Sequence, residues 1–491
     1  LKFGCFKRRP RQGARNIVDC RWVINWKQEI LPNGQTRRII RARLTLRGFK
    51  DMDAANLERY AGTSQRYSQR LLASEEANRG WPIVSTDISK AFLQGVTYEE
   101  LARLTGEPLR DVNFYLPANS IAALKQLPGY HDFNPAAEVL QSLKPGTGSV
   151  DAPRAFHLKL AQITRGVLKF LPSRTDNELL ILYENGSLVA LMCIHVDDLK
   201  LTGLKATIEK IVACLEKTFG KLILQWHNFT NCGIRHIQCP RTFTITMDQI
   251  EYIATLKPMP VTVARGCYET VVDNAAFEQF RSLRGAVAYC LLTRADVSVY
   301  VVALQRPQET STKWKDVRSL NAVLKRMQTH PVYITYKYLG PETCFLVFTD
   351  AAFKKEEDTG HALKGTLVAR VATNKADSTV IMRGSMNHAC HVIEFLTKRV
   401  RNVTRSTFSA ELFSLCDVCD HALLLRQIAH EFTAGPLSAE NARLLREGSI
   451  PSTIKLGIII DAMSVYTAII ATHIKIPAEK SLLSHLQYVR E

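Results

Sequence analysis

Short apolar runs separated by turn residues dominate the middle of the chain. They occupy residues 179–183, 188–194 and 199–202, with Asn185-Gly186 after the first run and the sequence HVDD, 195–198, after the second. Short apolar runs joined by tight turns are typical of β-hairpins, and Asn-Gly is a strong turn signal. The pattern predicts three antiparallel strands, with an acidic turn at the tip of the second hairpin.

Other segments have the periodicity of amphipathic helices. Helices are predicted at 135–143, 206–219 and 405–432, and two or three more between 273 and 330. Strand-like runs are predicted at 23–30, 37–46, 343–353, 365–372 and 378–385. Residues 453–473 predict a buried strand ending at Asp461 and then a helix. The C-terminal order of strands, helix, strand and helix predicts a compact α/β domain.

Adjacent carboxylates mark the acidic turn. Asp197 and Asp198 repel each other, and hard cations such as Mg²⁺ favour carboxylate oxygen ligands. An isolated Asp-Asp pair is more often a solvated turn, but the flanking apolar strands favour a metal site. Asp87 follows the apolar residues Ile83 and Val84 and is a candidate third ligand. The alternative for Asp87 is a helix N-cap.

A second acidic set lies in the C-terminal part of the chain. Asp350 stands at a predicted strand end, Glu411 near the start of the long helix, and Asp461 at the end of the last strand. Cys416 and Cys419 share one stripe of the same helix with apolar residues, which favours core packing over metal binding.

Basic residues recur on the predicted strand at 37–46. Residues 37, 41, 43 and 47 are all Arg and share one face of a strand. Such a face suits phosphate binding, although it could equally be a solvated edge strand. The loop 145–148 is glycine-rich, and the following Asp151-Ala152-Pro153 predicts a helix start with an Asp N-cap. A glycine loop before a helix can approach a nucleotide, but the signal is weak.

Composition narrows the class of partner. The 491 residues carry a net charge of +18, which favours a polyanionic partner, either nucleic acid or an acidic membrane surface. The twelve cysteines are scattered, so we expect a reducing compartment. No apolar run approaches the ~20 residues of a membrane helix. The chain starts without methionine, so we expect a piece of a longer protein.

Several blocks together resemble one family. The sequence resembles the reverse transcriptase and ribonuclease H region of Ty1/copia-type retrotransposon Pol polyproteins, through the ordered stretches DCRWVINWK with ARLTLRGF, STDISKAFLQG, LPGY with DAPRAF, IHVDDLKLTG, FRSLRGAVAYCLLTRADVS, TDAAF, STFSAELFSL and LQYVRE. The resemblance covers residue 16 to the end. It implies a multidomain α+β and α/β protein with the right-hand polymerase fold. Fingers and palm would span residues 1–260, thumb or connection-like helices 261–337, and a ribonuclease H-like domain 338–491.

The resemblance also implies roles for individual residues. Asp87, Asp197 and Asp198 would hold two Mg²⁺ ions, or Mn²⁺, in the polymerase palm. Phe92 would be a steric gate against ribose. The other implied nucleotide-binding residues are Arg41, Arg43, Gly148 and Pro153, and His195 would contact primer and template.

In the C-terminal domain, Asp350, Glu411 and Asp461 would hold two metal ions that act on the RNA strand of an RNA–DNA hybrid. The implied function is an RNA-directed DNA polymerase with ribonuclease H activity. The partners would be RNA template, DNA primer, hybrid and deoxynucleotides, without a membrane. An integrase and a protease would lie upstream in the same polyprotein. The implied location is a cytoplasmic virus-like particle with later access to the nucleus.

Three differences from the family's motifs leave a second hypothesis for the function. His195 replaces the family's usual aromatic residue, the block before DAPRAF lacks a Tyr and a Lys, and Leu483, near His485, stands where a fourth acidic residue is usual. The alternative function is a catalytically decayed retrotransposon remnant that only binds nucleic acid.

Overall fold

The computed structural model describes residues 3–30, 36–353, 361–375 and 389–491, and the predicted strand at 378–385 lies outside these ranges. The strands in the described ranges are β1 (Phe6–Pro10), β2 (Ile17–Ile30), β3 (Thr36–Leu46), β4 (Ile83–Asp87), β5 (Asn113–Tyr115), β6 (Glu138–Ser142), β7 (Leu171–Pro172), β8 (Leu179–Glu184), β9 (Ser187–His195), β10 (Asp198–Gly203), β11 (Ile223–Trp226), β12 (Asn228–Asn231), β13 (Ile234–Gln238), β14 (Ile245–Asp248), β15 (Ile334–Tyr336), β16 (Thr343–Ala352), β17 (Leu363–Ala372), β18 (His391–Arg399) and β19 (Lys455–Ile459).

The α-helices of the same ranges are α1 (Arg66–Arg79), α2 (Tyr98–Thr105), α3 (Ala118–Lys125), α4 (Ala152–Ala161), α5 (Lys205–Phe219), α6 (Ile250–Thr255), α7 (Asn274–Tyr289), α8 (Ser298–Leu304), α9 (Trp314–Thr329), α10 (Thr407–Ala434), α11 (Ala439–Arg446), α12 (Met463–Ile470) and α13 (Leu483–Arg490). Across the described part of the chain, no helix is both long and apolar enough to cross a bilayer.

Four sheets organise these elements into a mixed α/β protein. Their strand orders are β1-β6-β5-β2-β3, β11-β4-β10-β9-β8-β7, β12-β13-β14-β15 and β18-β17-β16-β19. The six-stranded sheet is buried on both faces: one faces α4 and α5, and the other faces α1. A sheet covered on both faces needs apolar side chains in both directions, which explains the unbroken apolar run at 188–194.

The helices α6 to α9 enclose a separate apolar core that includes Phe280, Leu320 and Leu324. This core also takes Ile253 from α6, which precedes residue 261. After α9, β15 pairs with β14 and so returns the chain to a sheet built from residues before the helices.

Two local predictions were wrong. Residues 138–142 form β6, because this segment pairs with both β1 and β5 and buries Val139 and Leu140 between them. The strand before Asp461 is not buried: β19 lies at the edge of its sheet, parallel to β16, and is half-buried. Its apolar residues pack against clusters on both faces, but the edge position leaves them partly exposed.

The prediction that the Asp151 side chain caps a helix was also wrong. Asp151 precedes α4, but its side chain makes no capping hydrogen bond. It is buried in an ion pair with Arg110, which also binds Asp51. A buried guanidinium without a carboxylate partner is strongly destabilising, so the ion pair with Arg110 takes the Asp151 side chain.

The helix α1 joins the six-stranded sheet to the C-terminal sheet. The largest apolar cluster runs from Leu191 through Leu72 of α1 to Phe395 of β18. Arg70 of α1 is buried, and its Nη1 donates to Oε1 of Glu394 at 3.0 Å. Arg66 Nη2 lies 2.7 Å from the same oxygen. The two parts of the chain therefore share one core and buried ion pairs.

We expect Glu394→Ala to lower the free energy of unfolding by about 3–5 kcal/mol, because Arg70 would stay buried without its carboxylate. The measurement is urea denaturation monitored by tryptophan fluorescence. Glu278→Ala is the matched control, because Glu278 pairs with Arg281 on the surface and should cost no more than about 1 kcal/mol. An equal loss of unfolding free energy in the two variants would contradict the stabilising role of the buried ion pair.

Candidate active sites

The first site lies at the tip of the β9–β10 hairpin. Asp198 begins β10 and lies directly opposite Asp87 of β4, while His195 faces it from β9. Asp197 is in the two-residue turn beside Val196, whose φ is +60°. A positive φ is unfavourable for a β-branched residue, and such strain concentrates at functional sites. The three carboxylates thus gather at one end of the sheet.

Asp87 is the last residue of β4 and does not cap a helix, since the short 3₁₀ turn that follows, Ala91–Leu93, has Lys90 at its N-cap position. The metal-ligand prediction for Asp87 therefore fits its position better than the N-cap alternative.

Burial and neighbouring negative charge raise the pKa of two of these carboxylates, Asp87 and Asp198. Burial, and then the charge of Asp197, raises the pKa of Asp87. Burial raises the pKa of Asp198 as well, followed by the charges of Asp197 and Asp87. Lys27 and Arg41 act in the opposite direction on the pKa of Asp87. Negative charge at this strand end is therefore only partly offset by the protein.

The hairpin β2–β3 carries this positive charge. Arg41 and Arg43 are exposed on β3, and their antiparallel partners on β2 are Asn25 and Val23. Lys27 lies two residues beyond Asn25 and shares that face. Sequence reasoning missed Lys27, although the strand period of two would have identified it. Basic side chains of one hairpin face thus oppose the rise in the pKa of Asp87.

Arg47 lies beyond β3 and takes a different partner. Its Nη1 lies 3.0 Å from Oδ2 of Asp19, so it is neutralised within the N-terminal sheet.

The glycine loop is fixed to the end of β3. Leu46 N–H donates to Thr147 O at 2.9 Å, and Gly48 N–H donates to Gly148 O at 3.2 Å. Gly148 has φ +91°, and a Cβ there would overlap Leu46 O. The close approach of the Leu46 backbone therefore explains why residue 148 is glycine. Pro153 lies in the first turn of α4, as the sequence predicted.

Phe92 is half-buried in the 3₁₀ turn and packs against the apolar core under the sheet. Its steric-gate role stays a prediction.

A second hairpin approaches the acidic turn. The turn Cys232-Gly233 joins β12 to β13, and burial raises the pKa of Cys232, to which the charge of Asp198 adds. Tyr289 Oη of α7 donates to Cys232 O at 3.2 Å. The helical region is thereby anchored close to Asp198.

The second site brings together the three C-terminal acids. Asp350 near the end of β16, Glu411 in the first turns of α10, and Asp461 after β19 each place an oxygen within 4.8 Å of the others. β16 and β19 are parallel neighbours, and Asp350 and Asp461 both lie near their carboxyl ends. Among the residues that the structure describes, this is the one such group of three or more potential metal ligands.

Glu411 is the buried member of this group. Its Oε1 accepts a hydrogen bond from Ala351 N–H at 3.1 Å, while its Oε2 is buried without a hydrogen-bond partner. Burial first, and then the charges of Asp350 and Asp461, raises the pKa of Glu411 to about 7. An unpartnered buried carboxylate oxygen among two further carboxylates fits a divalent cation. The donor set matches the expected Mg²⁺ chemistry.

The final helix does not add an acidic residue near this group. Leu483 is half-buried at the start of α13, and the ring of His485 packs edge-on against Phe413 at 4.9 Å. Cys416 and Cys419 pack with apolar residues of α10 and α13, in line with the core interpretation.

Comparison with known proteins gives two relatives of the same kind. The chain is 22% identical over 419 residues to the retrovirus-related Pol polyprotein from transposon RE1 of Arabidopsis thaliana, and 23% identical over 421 residues to that from transposon RE2. Both alignments cover 83% of this chain and 26% of the relative, so the chain spans about a quarter of their length. No family model matches. The resemblance to retrotransposon Pol polyproteins is confirmed.

In metal-free buffer, we expect the Glu411 carboxyl to lower stability as pH rises from about 4.5 to 7. In this window the unfolded chain has lost a proton that folded Glu411 still holds, so unfolding becomes more favourable with increasing pH. The melting temperature of the wild-type chain, measured in chelator from pH 4.5 to 8, tests this expected loss of stability.

Glu411→Gln should remove this part of the pH dependence, whereas Glu447→Gln, at an exposed position in the C-terminal part of the chain, should keep it. Added Mg²⁺ should restore stability to the wild type above pH 7. Identical pH profiles for Glu411→Gln and the wild type would contradict the raised pKa.

Proposed function

We propose that this chain is an RNA-directed DNA polymerase of a retrotransposon, with a C-terminal ribonuclease H activity. The observation that carries the proposal is the convergence of two separate carboxylate groups from distant parts of the chain. Asp87 lies opposite Asp198, and Asp350, Glu411 and Asp461 form a closer group. The similarity to Pol polyproteins supports the same assignment.

Asp87, Asp197 and Asp198 would hold the cations of the polymerase site, and Asp350, Glu411 and Asp461 those of the hydrolytic site. Bound divalent cations supply charge stabilisation for in-line phosphoryl transfer and lower the pKa of the attacking hydroxyl or water. The oxygens of the three polymerase carboxylates do not meet within the 4.8 Å that joins the C-terminal group. Cation binding would draw them together. In both places the protein's own contribution is concentrated negative charge.

The remaining residues of the polymerase site would bind and orient the substrates. Arg41, Arg43 and Lys27 present positive charge on the hairpin that acts on Asp87, and guanidinium groups bind phosphate bidentately. They would hold the triphosphate of a deoxynucleotide. Phe92 would exclude a ribose 2′-hydroxyl, and His195, beside Asp198, would contact the primer end.

At the hydrolytic site, Glu411 would hold a proton near neutral pH until a cation replaces it. The substrate would be the RNA strand of an RNA–DNA hybrid, which its 2′-hydroxyl distinguishes from DNA. The net charge of +18 supports binding of such a polyanion. We further propose a cytoplasmic particle as the location and a protease and integrase in the same polyprotein.

The two activities should separate by substitution. Asp198→Asn should reduce Mg²⁺-dependent primer extension on an RNA template by about 10³-fold or more, and leave hybrid cleavage within a factor of two. Glu411→Gln should do the reverse. Each variant is thus the folding control for the other. A wild-type chain that neither extends primer nor cleaves hybrid would favour the decayed, binding-only remnant.

Hybrid binding should depend steeply on salt. If several phosphates are contacted, affinity should fall by about 10³-fold or more between 50 and 200 mM salt. Gel shifts in chelator with a labelled RNA–DNA duplex measure this without catalysis. Replacing Arg41 and Arg43 together with Gln should leave this slope unchanged and raise the KM for the deoxynucleotide, because we assign both residues to the triphosphate. A shallower slope would place them on the phosphates of the hybrid instead.

A further inference from the structure

The segment 61–64 acts as an extra strand beside the acidic hairpin. Thr63 forms an antiparallel bridge with His195, and Ser64 N–H donates to Ile194 O at 2.8 Å. Ile194 N–H donates to Glu178 O at 3.0 Å. The segment therefore takes over from β8 as the neighbour of β9: Glu178 still pairs with Ile194 N–H, whereas residues 63–64 pair with Ile194 O and with His195.

Gly62 of this segment lies directly against the carboxyl group of Glu178. A Cβ added at Gly62 would overlap Glu178 Cδ and Oε1, so that only glycine leaves room for the contact. The Glu178 side chain is 1% exposed, and its Oε2 is buried without a hydrogen-bond partner. The buried Glu178 carboxylate lies against the backbone of Gly62, and it therefore limits how closely residues 61–64 can approach β9.

Groups on neighbouring elements hold Glu178 in place. His157 Nε2 on α4 donates to Glu178 Oε1 at 2.9 Å, and Arg165 Nη2 lies 3.7 Å from the same oxygen. The two ends of the segment are also attached: the ring of Tyr60 contacts the ring of His157 edge-on at 5.9 Å, and Gln65 N–H donates to an oxygen of Asp176 at 2.8 Å.

The turn that follows His195 needs such support. Val196 adopts φ +60°, a conformation that a β-branched residue holds only when its surroundings impose it. On the edge of β9 that faces residues 61–64, the bridge between Thr63 and His195 is the last strand pairing before the turn.

We propose that Glu178, together with Gly62 and His157, is a positioning group for the acidic turn, because it fixes the strand pairing of His195 from which Asp197 and Asp198 project. The inference rests on the proposed polymerase function for its catalytic consequence. None of these three residues belongs to the proposed metal-binding or substrate-binding groups, and none was singled out by the sequence.

The test compares Gly62→Ala with Gly166→Ala in the full chain. A Cβ at Gly166 meets nothing within 4 Å, so this control adds the same methyl group without a clash. Gly62→Ala should lower kcat for primer extension by about 10- to 100-fold, as expected for catalytic groups displaced by about an ångström, with little change in the KM for the deoxynucleotide. Hybrid cleavage by the same preparation should stay within a factor of two.

His157→Gln provides a second variant in case Gly62→Ala fails to fold. Its side chain is partly exposed, and it should lower kcat in the same direction but by less. Extension rates for both His157→Gln and Gly62→Ala within a factor of two of wild type would overturn the proposal. So would a fall in extension that hybrid cleavage matches, because that is a loss of folded protein.

Hydrogen exchange separates this inference from the proposed function. In Gly62→Ala, amides of 189–200 should exchange faster than in Gly166→Ala, whether or not the chain is active. Faster exchange in a chain whose wild type cannot extend a primer would refute the polymerase proposal and retain the positioning contact. Unchanged exchange with an active wild type would refute the positioning contact alone.

Discussion

Repulsion between carboxylates is the constraint on which the arrangement of this protein depends. Asp87, Asp197 and Asp198 at one strand end, and Asp350, Glu411 and Asp461 at another, are held closer than free carboxylates would settle. Burial and neighbouring charge raise the pKa of Asp87, Asp198 and Glu411. A fold keeps such groups together only where rigid elements oppose the repulsion or a cation neutralises it.

The rigid elements are buried strands and one helix between them. The six-stranded sheet is covered on both faces, so the strands that carry Asp87 and Asp198 cannot shift without disturbing two cores. The helix α1 packs on this sheet and on β18, with Arg70 and Glu394 paired in the contact. The two acidic sites are therefore attached to one continuous core, and destabilising α1 should affect both.

Elements whose signal is local were predictable from the sequence. The hairpins around Asn185-Gly186 and Asp197-Asp198, the helix at 205–219 and the long helix that carries Glu411 lie within a few residues of their predicted bounds. Elements that depend on partners were not. Residues 138–142 have apolar spacing compatible with a helix, and their strand conformation follows from β1 and β5 on either side. Asp151 looked like a helix cap, and only the fold brings Arg110 to it.

The sequence alone identified the residues to which we assign the chemistry, because acidic residues at the ends of apolar runs and family-like motifs are local features. It pointed to all six carboxylates and to the basic strand with Arg41 and Arg43. Only the tertiary structure decided which groups meet: Asp198 opposite Asp87, Lys27 near Asp87, Glu411 with an unpartnered oxygen, and Glu178 beneath Gly62. Such contacts join residues separated by tens to hundreds of positions, and their distances follow from strand register and packing, which no local pattern encodes.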